Sequence, residues 1–334
     1  MLEQLEPHRP LVIGGNTQLG ENRASEVDGR EAACGDHVAI GNHRSIHVVL
    51  TARVSIGVRG QVAPCIARVT TVVENDRAAG VVLDSGETVR AKYVASNVNP
   101  KLLYTRLVPA DAQPTDFRDR MARWRNGSGT FRMNVALSAL PSFTALPGEG
   151  DHLSSGIILA PSLGYMDRAW LDARAHGWSR EPVVEMLIPS TLDDTLAPAG
   201  QHVASLFCQH VAPELPDGKS WDHHREEVAD LMIATVDRYA PGFAASVIGR
   251  QALSPLDLER QFGLLGGDIF HGALTLNQLF SARPMLGHAD YRGPLKGLYH
   301  CGSGAHPGGG VTGAPGHNAA RAILADHRAL FASR

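Results

Sequence analysis

The residues best placed to do chemistry lie in one glycine-rich segment near the end of the chain. Six glycines stand between Gly302 and Gly313, in the run GSGAHPGGGVTG. Glycines let backbone amides approach a ligand without interference from side chains. A helix predicted from Ala314 follows directly, and its free N-terminal amides and positive dipole end favour an anion or an electron-rich carbonyl. The pattern alone is equally compatible with a tight turn.

Two histidines could move protons beside such a loop. His306 lies within it, and His271 lies in the stretch GGDIFHG. An imidazole changes charge near neutral pH, so either could exchange a proton with a substrate or cofactor. The simpler interpretation of both is a polar residue that caps a turn. Asp268 is likewise expected to cap a turn, and Arg283 to form a surface ion pair unless an acidic substrate or the cofactor takes it.

Metal and thiol chemistry have little support in the sequence. His223 and His224 have no third ligand at a useful spacing, so we predict no metal site. The four cysteines form no CxxC pair, which favours free thiols in a reducing compartment. They are Cys34, Cys65, Cys208 and Cys301. We interpret Cys301, at the end of a predicted strand, as a small buried residue rather than a nucleophile.

Bulk composition bounds the class of protein. A chain of 334 residues, 43% hydrophobic and 19% charged, is typical of a globular protein of two domains. A net charge of -3 argues against nucleic acid or an anionic membrane as a partner. The sequence contains no apolar run long enough for a spanning helix and no secretory signal pattern. These features predict a cytoplasmic location, or the mitochondrial matrix in a eukaryote.

The elements that would position the glycine loop are strands followed by a helix. GLYHC (Gly297–Cys301) predicts a strand before the loop, and Ala314–Leu330 a helix after it. Residues 67–98 predict three strands, with turns at Glu74-Asn75-Asp76 and Asp84-Ser85-Gly86. Asn99-Pro100 then ends the sheet.

The middle of the chain alternates between strand and helix patterns. Strands are predicted at Phe131–Ser138, Pro182–Ile188 and Val203–Val211. A helix is predicted from Pro114 to Trp124, and the clearest one at Trp221–Tyr239, where Asp222 could cap its start.

Residues 1–64 are harder to interpret. LVIGGNTQLG (Leu11–Gly20) resembles a strand and a glycine turn, but its glycines are not spaced as G-x-G-x-x-G. No sustained helical periodicity follows, so an ordinary loop is the favoured interpretation. His47–Val62 is consistent with strand.

The segment CGSGAHPGGGVTGAPGHNAA closely resembles the C-terminal flavin-binding motif of the phytoene dehydrogenase/carotenoid desaturase-like flavoproteins. Four other stretches extend the resemblance over about residues 66–330. They are ENDRAAGVVLDSGETVRAKYVASNVNP, FRMNVALSALPSFTALPG, LSPLDLERQFGLLGGDIFHGALTLNQLFSARP and GLYHCGSG.

The resemblance implies an FAD-dependent oxidoreductase and a set of cofactor contacts. Gly302, Ser303 and Gly304 would approach the ribityl chain or pyrophosphate of FAD. The flavin ring would be lined by Gly309, Gly310, Val311, Thr312 and Gly313, with the helix from Ala314 aimed at its pyrimidine edge. A helix dipole there would stabilise the negative charge of a reduced flavin. The implied reaction removes a hydride from a C–C or C–N bond of a small-molecule substrate and passes electrons to oxygen, a quinone or another acceptor.

The implied fold is α/β, an incomplete Rossmann-like FAD-binding domain with an inserted mixed α+β substrate domain. Residues 65–100 and 290–334 would form the first, 101–289 the second, and 1–64 a poorly matching N-terminal segment. Because no clear GxGxxG strand is present, we expect an N-terminally truncated chain. This leaves a competing hypothesis, a non-catalytic remnant or interaction protein that does not bind FAD. A lipophilic substrate met at a membrane follows only from analogy with carotenoid desaturases, and no basic amphipathic helix supports it.

Overall fold

The chain folds into two compact units, each with its own sheet and core. The computed structural model describes residues 47–50, 70–83, 86–127 and 129–332. Of the described residues, unit 1 contains those up to Asn126, Gln261–Leu265 and those from Ile269 onward. Unit 2 contains Gly127–Arg260 and Gly266–Asp268. These bounds differ from the predicted 101–289 insertion, since residues 101–126 and 269–289 group with unit 1.

The described residues contain short strands and a few long helices. The strands are β1 (His47–Leu50), β2 (Thr70–Glu74), β3 (Arg77–Val82), β4 (Thr88–Arg90), β5 (Tyr93–Ser96), β6 (Thr130–Leu137), β7 (Ile157–Leu159), β8 (Trp178–Leu187), β9 (His202–Val211), β10 (Val247–Leu253) and β11 (Leu298–His300). The α-helices are α1 (Pro100–Leu102), α2 (Thr115–Ala122), α3 (Leu163–His176), α4 (Trp221–Tyr239), α5 (Phe243–Ser246), α6 (Pro255–Phe262) and α7 (Ala314–Ala332).

A parallel sheet organises unit 1. Its strand order is β1-β5-β11, and β5 pairs in parallel with both neighbours. Every residue of β5 and β11 is buried, as expected for parallel strands covered on both faces. The helix α7 is joined to this sheet by Asp326, which accepts hydrogen bonds from Tyr299 (2.7 Å) and Arg292 (2.8 Å). Because the strands are parallel, β5 and β11 end at the same edge.

An antiparallel sheet of order β2-β3-β4 completes unit 1. Asn75 and Asp76 join β2 to β3, with φ angles of 51° and 57°. Two successive positive φ angles are the mark of a two-residue hairpin turn, and Asn and Asp tolerate them best among non-glycine residues. The predicted turn at residues 74–76 is thus confirmed. Asp84 and Ser85 of the second predicted turn lie outside the described residues.

Unit 2 is built on an antiparallel sheet of order β10-β6-β9-β8-β7. Alternate residues of β6, from Phe131 to Leu137, are buried on one face. The helix α4 packs there through a stripe that includes Val228, Met232 and Val236. Apolar residues at strand period two and helix period three to four therefore meet in one core.

Most predicted elements after Pro100 are present near their predicted bounds. They are β6, β8, β9, β11, α2, α4 and α7. The predicted third strand of residues 67–98 is wrong in one respect. It is two strands, β4 and β5, that belong to different sheets. The predicted Asp222 cap is also wrong, because Ser220 Oγ caps α4 and Asp222 pairs with Arg260. Of the predicted strand at His47–Val62, β1 confirms the first four residues, and residues 51–62 lie outside the described residues, as does Leu11–Gly20.

Candidate functional site

The glycine loop begins at the carboxyl edge of the parallel sheet in unit 1. Cys301 follows β11, and its amide donates to the Ser96 carbonyl at the end of β5 (2.8 Å). Ligands of open parallel sheets bind outside the carboxyl ends of the strands. The residues at these ends, Ser96 and Asn97 on one strand and His300 on the other, therefore lie at the position expected for a site.

The first half of the loop, residues 302–308, is glycine-rich because the chain is tightly packed. A Cβ on Gly302 would lie 2.3 Å from the Asn97 carbonyl oxygen. A Cβ on Gly304 would lie 2.4 Å from Cδ of Pro100. The amides of Ala305 and Gly308 form internal bonds of 2.9 and 2.8 Å. Two of its glycines are thus required by contacts within the protein.

The second half, residues 309–313, is exposed and has a different character. Gly310 and Gly313 have φ angles of +122° and +70°, and a Cβ on Gly313 would meet no atom within 4 Å. Val311 also has a positive φ, 56°, and is 82% exposed. A β-branched residue is strained in that conformation. Within the described part of the chain, the five amides of residues 309–313 donate to no backbone or side-chain acceptor. Together they form a row of free donors.

Arg283 joins the glycine loop to the stretch that carries His271. Its side chain is 0% exposed, so the predicted surface ion pair is wrong. The guanidinium donates to the Ser303 carbonyl (2.7 Å) and the Phe270 carbonyl (2.6 Å), and it stacks on Trp124 at 5.6 Å. Carbonyl dipoles and an aromatic face stabilise the buried charge. The Phe270 ring in turn underlies Gly309.

Several buried polar atoms around the strand ends have no hydrogen-bond partner among the described residues. They are Ser96 Oγ, Asn97 Oδ1, His271 Nδ1, His306 Nδ1 and both ring nitrogens of His300. Buried polar groups in proteins are normally paired, and an unpaired one marks a place for water, an ion or a ligand. Their concentration beside the glycine loop supports a binding site there.

Burial keeps two of these imidazoles neutral. It lowers the pKa of His300 to about 3 and that of His271 to about 4. These values include smaller contributions from neighbouring charges, His271 and then Arg283 for His300, and Arg283 for His271. At neutral pH, His271 can accept or share a hydrogen bond but is not a proton donor of the imidazolium type. Burial also raises the pKa of the Cys301 thiol to about 12, so this cysteine is not poised as a nucleophile.

The structure brings together most of the predicted site residues. The loop from Gly302 to Ala314 is continuous with α7, and the Ala314 amide donates to Thr312 Oγ1 (3.2 Å). Asp268 belongs to unit 2, where it accepts a hydrogen bond from the Gly127 amide (3.0 Å). The sequence interpretation missed Ser96, Asn97 and His300. The one feature of the sequence that could have identified them is their position at the ends of two predicted buried strands.

Comparison with known proteins identifies the family. No protein-family model matches the chain. The rat protein named pyridine nucleotide-disulfide oxidoreductase domain-containing protein 2 is 44% identical over 257 residues, which cover 75% of this chain and 44% of the rat protein. An all-trans-zeta-carotene desaturase of Myxococcus xanthus is 26% identical over 72% of this chain and 43% of its own length. The chain thus spans less than half the length of these relatives.

Among solved structures, an oxidoreductase from Methanosarcina mazei aligns over 78% of this chain and 48% of its own, with 16% identity and a TM-score of 0.49. The sequence relationship is the stronger finding, and it confirms the resemblance noted in the glycine loop. Over the portion of its relatives that it spans, the chain belongs to the phytoene dehydrogenase-like family of FAD-dependent oxidoreductases.

Proposed function

We propose that this chain provides the flavin-contacting part of an oxidoreductase that removes a hydride from a C–C or C–N bond. The observation that carries the proposal is the row of exposed amides at residues 309–313, which donate to no acceptor in the described residues. It runs directly into the N-terminus of α7. Free amides next to a helix N-terminus attract the oxygen atoms of phosphates and carbonyls.

In this proposal FAD contacts three parts of the loop region. Gly302, Ser303 and Gly304 would hold the ribityl chain or pyrophosphate, beside the unpaired Ser96 Oγ. Residues 309–313 would line the flavin ring, where the positive φ angles of Gly310 and Gly313 keep the backbone open. The N-terminus of α7 at Ala314 would face the pyrimidine edge. Bound FAD supplies the hydride acceptor that side chains lack.

The side chains near the loop have supporting roles in this proposal. The buried guanidinium of Arg283 holds the Ser303 and Phe270 carbonyls, which fixes the path of the loop against the stretch before it. The fixed positive charge of Arg283 would also stabilise the negative charge of a reduced flavin bound nearby. His306 is half-buried, with Nδ1 unpaired, and is the candidate for proton exchange with substrate. His271 is the second candidate, as a neutral hydrogen-bond partner.

The test is flavin uptake by the purified chain. Visible absorption is measured before and after incubation with excess FAD, followed by gel filtration. The proposal predicts oxidised-flavin bands that stay with the protein. A colourless protein would favour the competing hypothesis, a family member that binds no flavin by itself.

Two glycine variants locate the uptake. Gly310→Val places a side chain on the exposed loop and is expected to lower FAD affinity at least about ten-fold, because a displaced backbone loses charge-assisted contacts. Gly148→Val is the matched control, since Gly148 also has a positive φ (+83°), has room for a side chain and lies in unit 2. Equal affinities of the two variants would contradict the assignment.

A further inference from the structure

The sheet of unit 2 has a second face that α4 does not cover. On this open face Arg132, Phe207 and Glu185 stand side by side in register across β6, β9 and β8. They alternate with the core residues of the same strands, so they point away from the α4 core. The α3 helix packs against Val183 at one end of this face. The open face is therefore a row of strand residues that mixes charge and aromatic surface.

Arg132 is the cationic residue of this row, and the negative charge of Glu185 acts on it from two strands away. Its guanidinium donates to Ser205 Oγ (2.9 Å) and lies over the Phe207 ring at 5.2 Å. Among the described residues, no carboxylate lies within ion-pair distance of it. Glu185, one strand beyond Phe207, instead accepts from Gln209 Nε2 (3.2 Å). Burial lowers the pKa of Arg132, and the negative charge of Glu185 opposes that shift. A half-buried guanidinium with spare donors has a strong affinity for an anion.

The same face becomes apolar toward its edge. Leu187 is opposite Ser205 and is 56% exposed, and Ile158 is opposite Glu185 and is 63% exposed. Adjacent strands are about 4.8 Å apart, so the distance from Arg132 to Ile158 is roughly 14 Å across three strand spacings. The Glu185 carboxylate repels a second carboxylate near this edge. A ligand that complements this surface has an anionic group at one end, next to Arg132, and an apolar group at the other end, next to the edge of the sheet.

We propose that the open face of unit 2 binds the substrate as an organic monocarboxylate with an apolar chain. The carboxylate pairs with the Arg132 guanidinium, and the chain crosses Phe207 toward Leu187 and Ile158. Planar guanidinium and carboxylate groups form two parallel hydrogen bonds, which give orientation as well as affinity. The identification of this ligand as the substrate rests on the proposed function, whereas its binding does not require flavin.

The experiment compares two probes, decanoate and 1-decanol, which share an apolar chain and differ in the end group. Binding to the full chain is measured by isothermal titration calorimetry below the aggregation concentration of either probe. We expect decanoate to bind at least about ten-fold more tightly than decanol, because a charge-assisted pair is stronger than a neutral hydrogen bond.

Variants of Arg132 identify the partner. Arg132→Gln is expected to weaken decanoate binding about ten-fold or more and to leave decanol binding unchanged. Arg132→Lys is expected to have a smaller effect, because lysine keeps the positive charge but lacks the two parallel N–H donors of the guanidinium. The matched control is Arg174→Gln, since Arg174 is an exposed arginine of the same unit that stacks on Trp170 at 5.4 Å. Circular dichroism and thermal midpoints establish that each variant is folded.

Three outcomes overturn the proposal: no decanoate binding, equal binding of both probes, or equal decanoate affinity of wild type and Arg132→Gln. The flavin proposal stands or fails separately. Selective decanoate binding by a chain that takes up no FAD supports the carboxylate site and not the flavin proposal. FAD uptake without decanoate binding overturns the carboxylate site and leaves the flavin proposal standing.

Discussion

The two halves of the glycine loop contain the same residue type for different physical reasons. In residues 302–308, Gly302 and Gly304 are required because neighbouring atoms occupy the space of a Cβ. In residues 309–313, Gly310 and Gly313 adopt positive φ angles, and a Cβ on either would meet no atom closer than 3.7 Å. The first half is fixed by contacts within unit 1. The second half presents its backbone outward beyond Gly309, where a Cβ would lie 2.9 Å from the Phe270 ring. Glycine count alone therefore does not identify a binding loop, whereas the surroundings of each glycine do.

The largest expected effect comes from removing the side chain that holds the first half. Arg283→Met leaves the Ser303 and Phe270 carbonyls without their charged donor. We expect the free energy of unfolding to fall by about 3 kcal/mol or more, because each buried unsatisfied group costs 1–3 kcal/mol. Urea denaturation measures it. Arg106→Met, at an exposed arginine, is the control. An equal change in both variants would refute the role of Arg283 in holding the loop.

A direct comparison of the two halves uses alanine. Gly302→Ala forces a Cβ to 2.3 Å from the Asn97 carbonyl oxygen, and backbone must shift to accommodate it. We expect a loss of about 3 kcal/mol, at the upper end for overpacking. Gly313→Ala, with open space at φ +70°, is expected to cost only about 1 kcal/mol from the left-handed conformation. If both variants lose the same stability in urea, the distinction between the halves fails.

The buried imidazoles predict a pH dependence that belongs to the packed region. Their native pKa values, about 3 for His300 and about 4 for His271, lie below the unfolded value near 6.5. Above pH 6.5 both states are neutral and the imidazoles contribute no pH dependence. As pH falls below 6.5 the unfolded state binds protons first, so stability decreases, until the native pKa is reached. The loss is about 2 kcal/mol per histidine at pH 5.

Unfolding measured between pH 8 and pH 5 tests this sign. In His300→Gln the slope should be reduced, because one buried imidazole is gone while His271 and His210, whose pKa burial also lowers, remain. His223→Gln, at an exposed histidine near the start of α4, should keep the full slope. A stability that rises as pH falls over this window would show that the imidazoles are not buried as neutral groups.

The smallest expected effect concerns the strained tip of the second half. Val311→Gly removes the cost of a β-branched residue at φ 56°. We expect the free energy of unfolding to rise by up to about 1 kcal/mol. Leu276→Gly is the comparison, because Leu276 is 88% exposed and has ordinary backbone, and there the substitution should cost about 0.5–1 kcal/mol. A loss of stability in both variants would mean that the tip is unstrained.

Sequence patterns predicted the elements whose buried residues repeat at the period of a strand or of a helix. The alternation in β6 and β9 and the stripe of α4 each record burial on one face, so their bounds were close. The strand, glycine loop and helix at the C-terminus were predicted from their order along the chain and from the six glycines of the loop. The split between β4 and β5 was not, because sheet membership depends on long-range pairing that a strand pattern does not contain.

The site was predicted less completely than the fold. The loop residues follow from glycine spacing and from family resemblance, and their contact with FAD stays a prediction. Arg283 was misjudged because its acceptors are backbone carbonyls from distant segments, which no spacing rule reveals. His300 gave no signal beyond its place at the end of β11, since a single buried polar residue has no period. The roles of His306 and His271 also stay predictions.

The most direct test of whether the exposed amides of residues 309–313 contact FAD is amide hydrogen exchange. Exchange is measured for residues 302–316 at single-residue resolution, with and without FAD. The amides of Ala305 and Gly308 are already hydrogen-bonded, whereas those of residues 309–313 have no acceptor in the described residues. We expect FAD to slow exchange chiefly at residues 309–313. Unchanged exchange there in a sample with bound flavin, or protection confined to other segments, would contradict it.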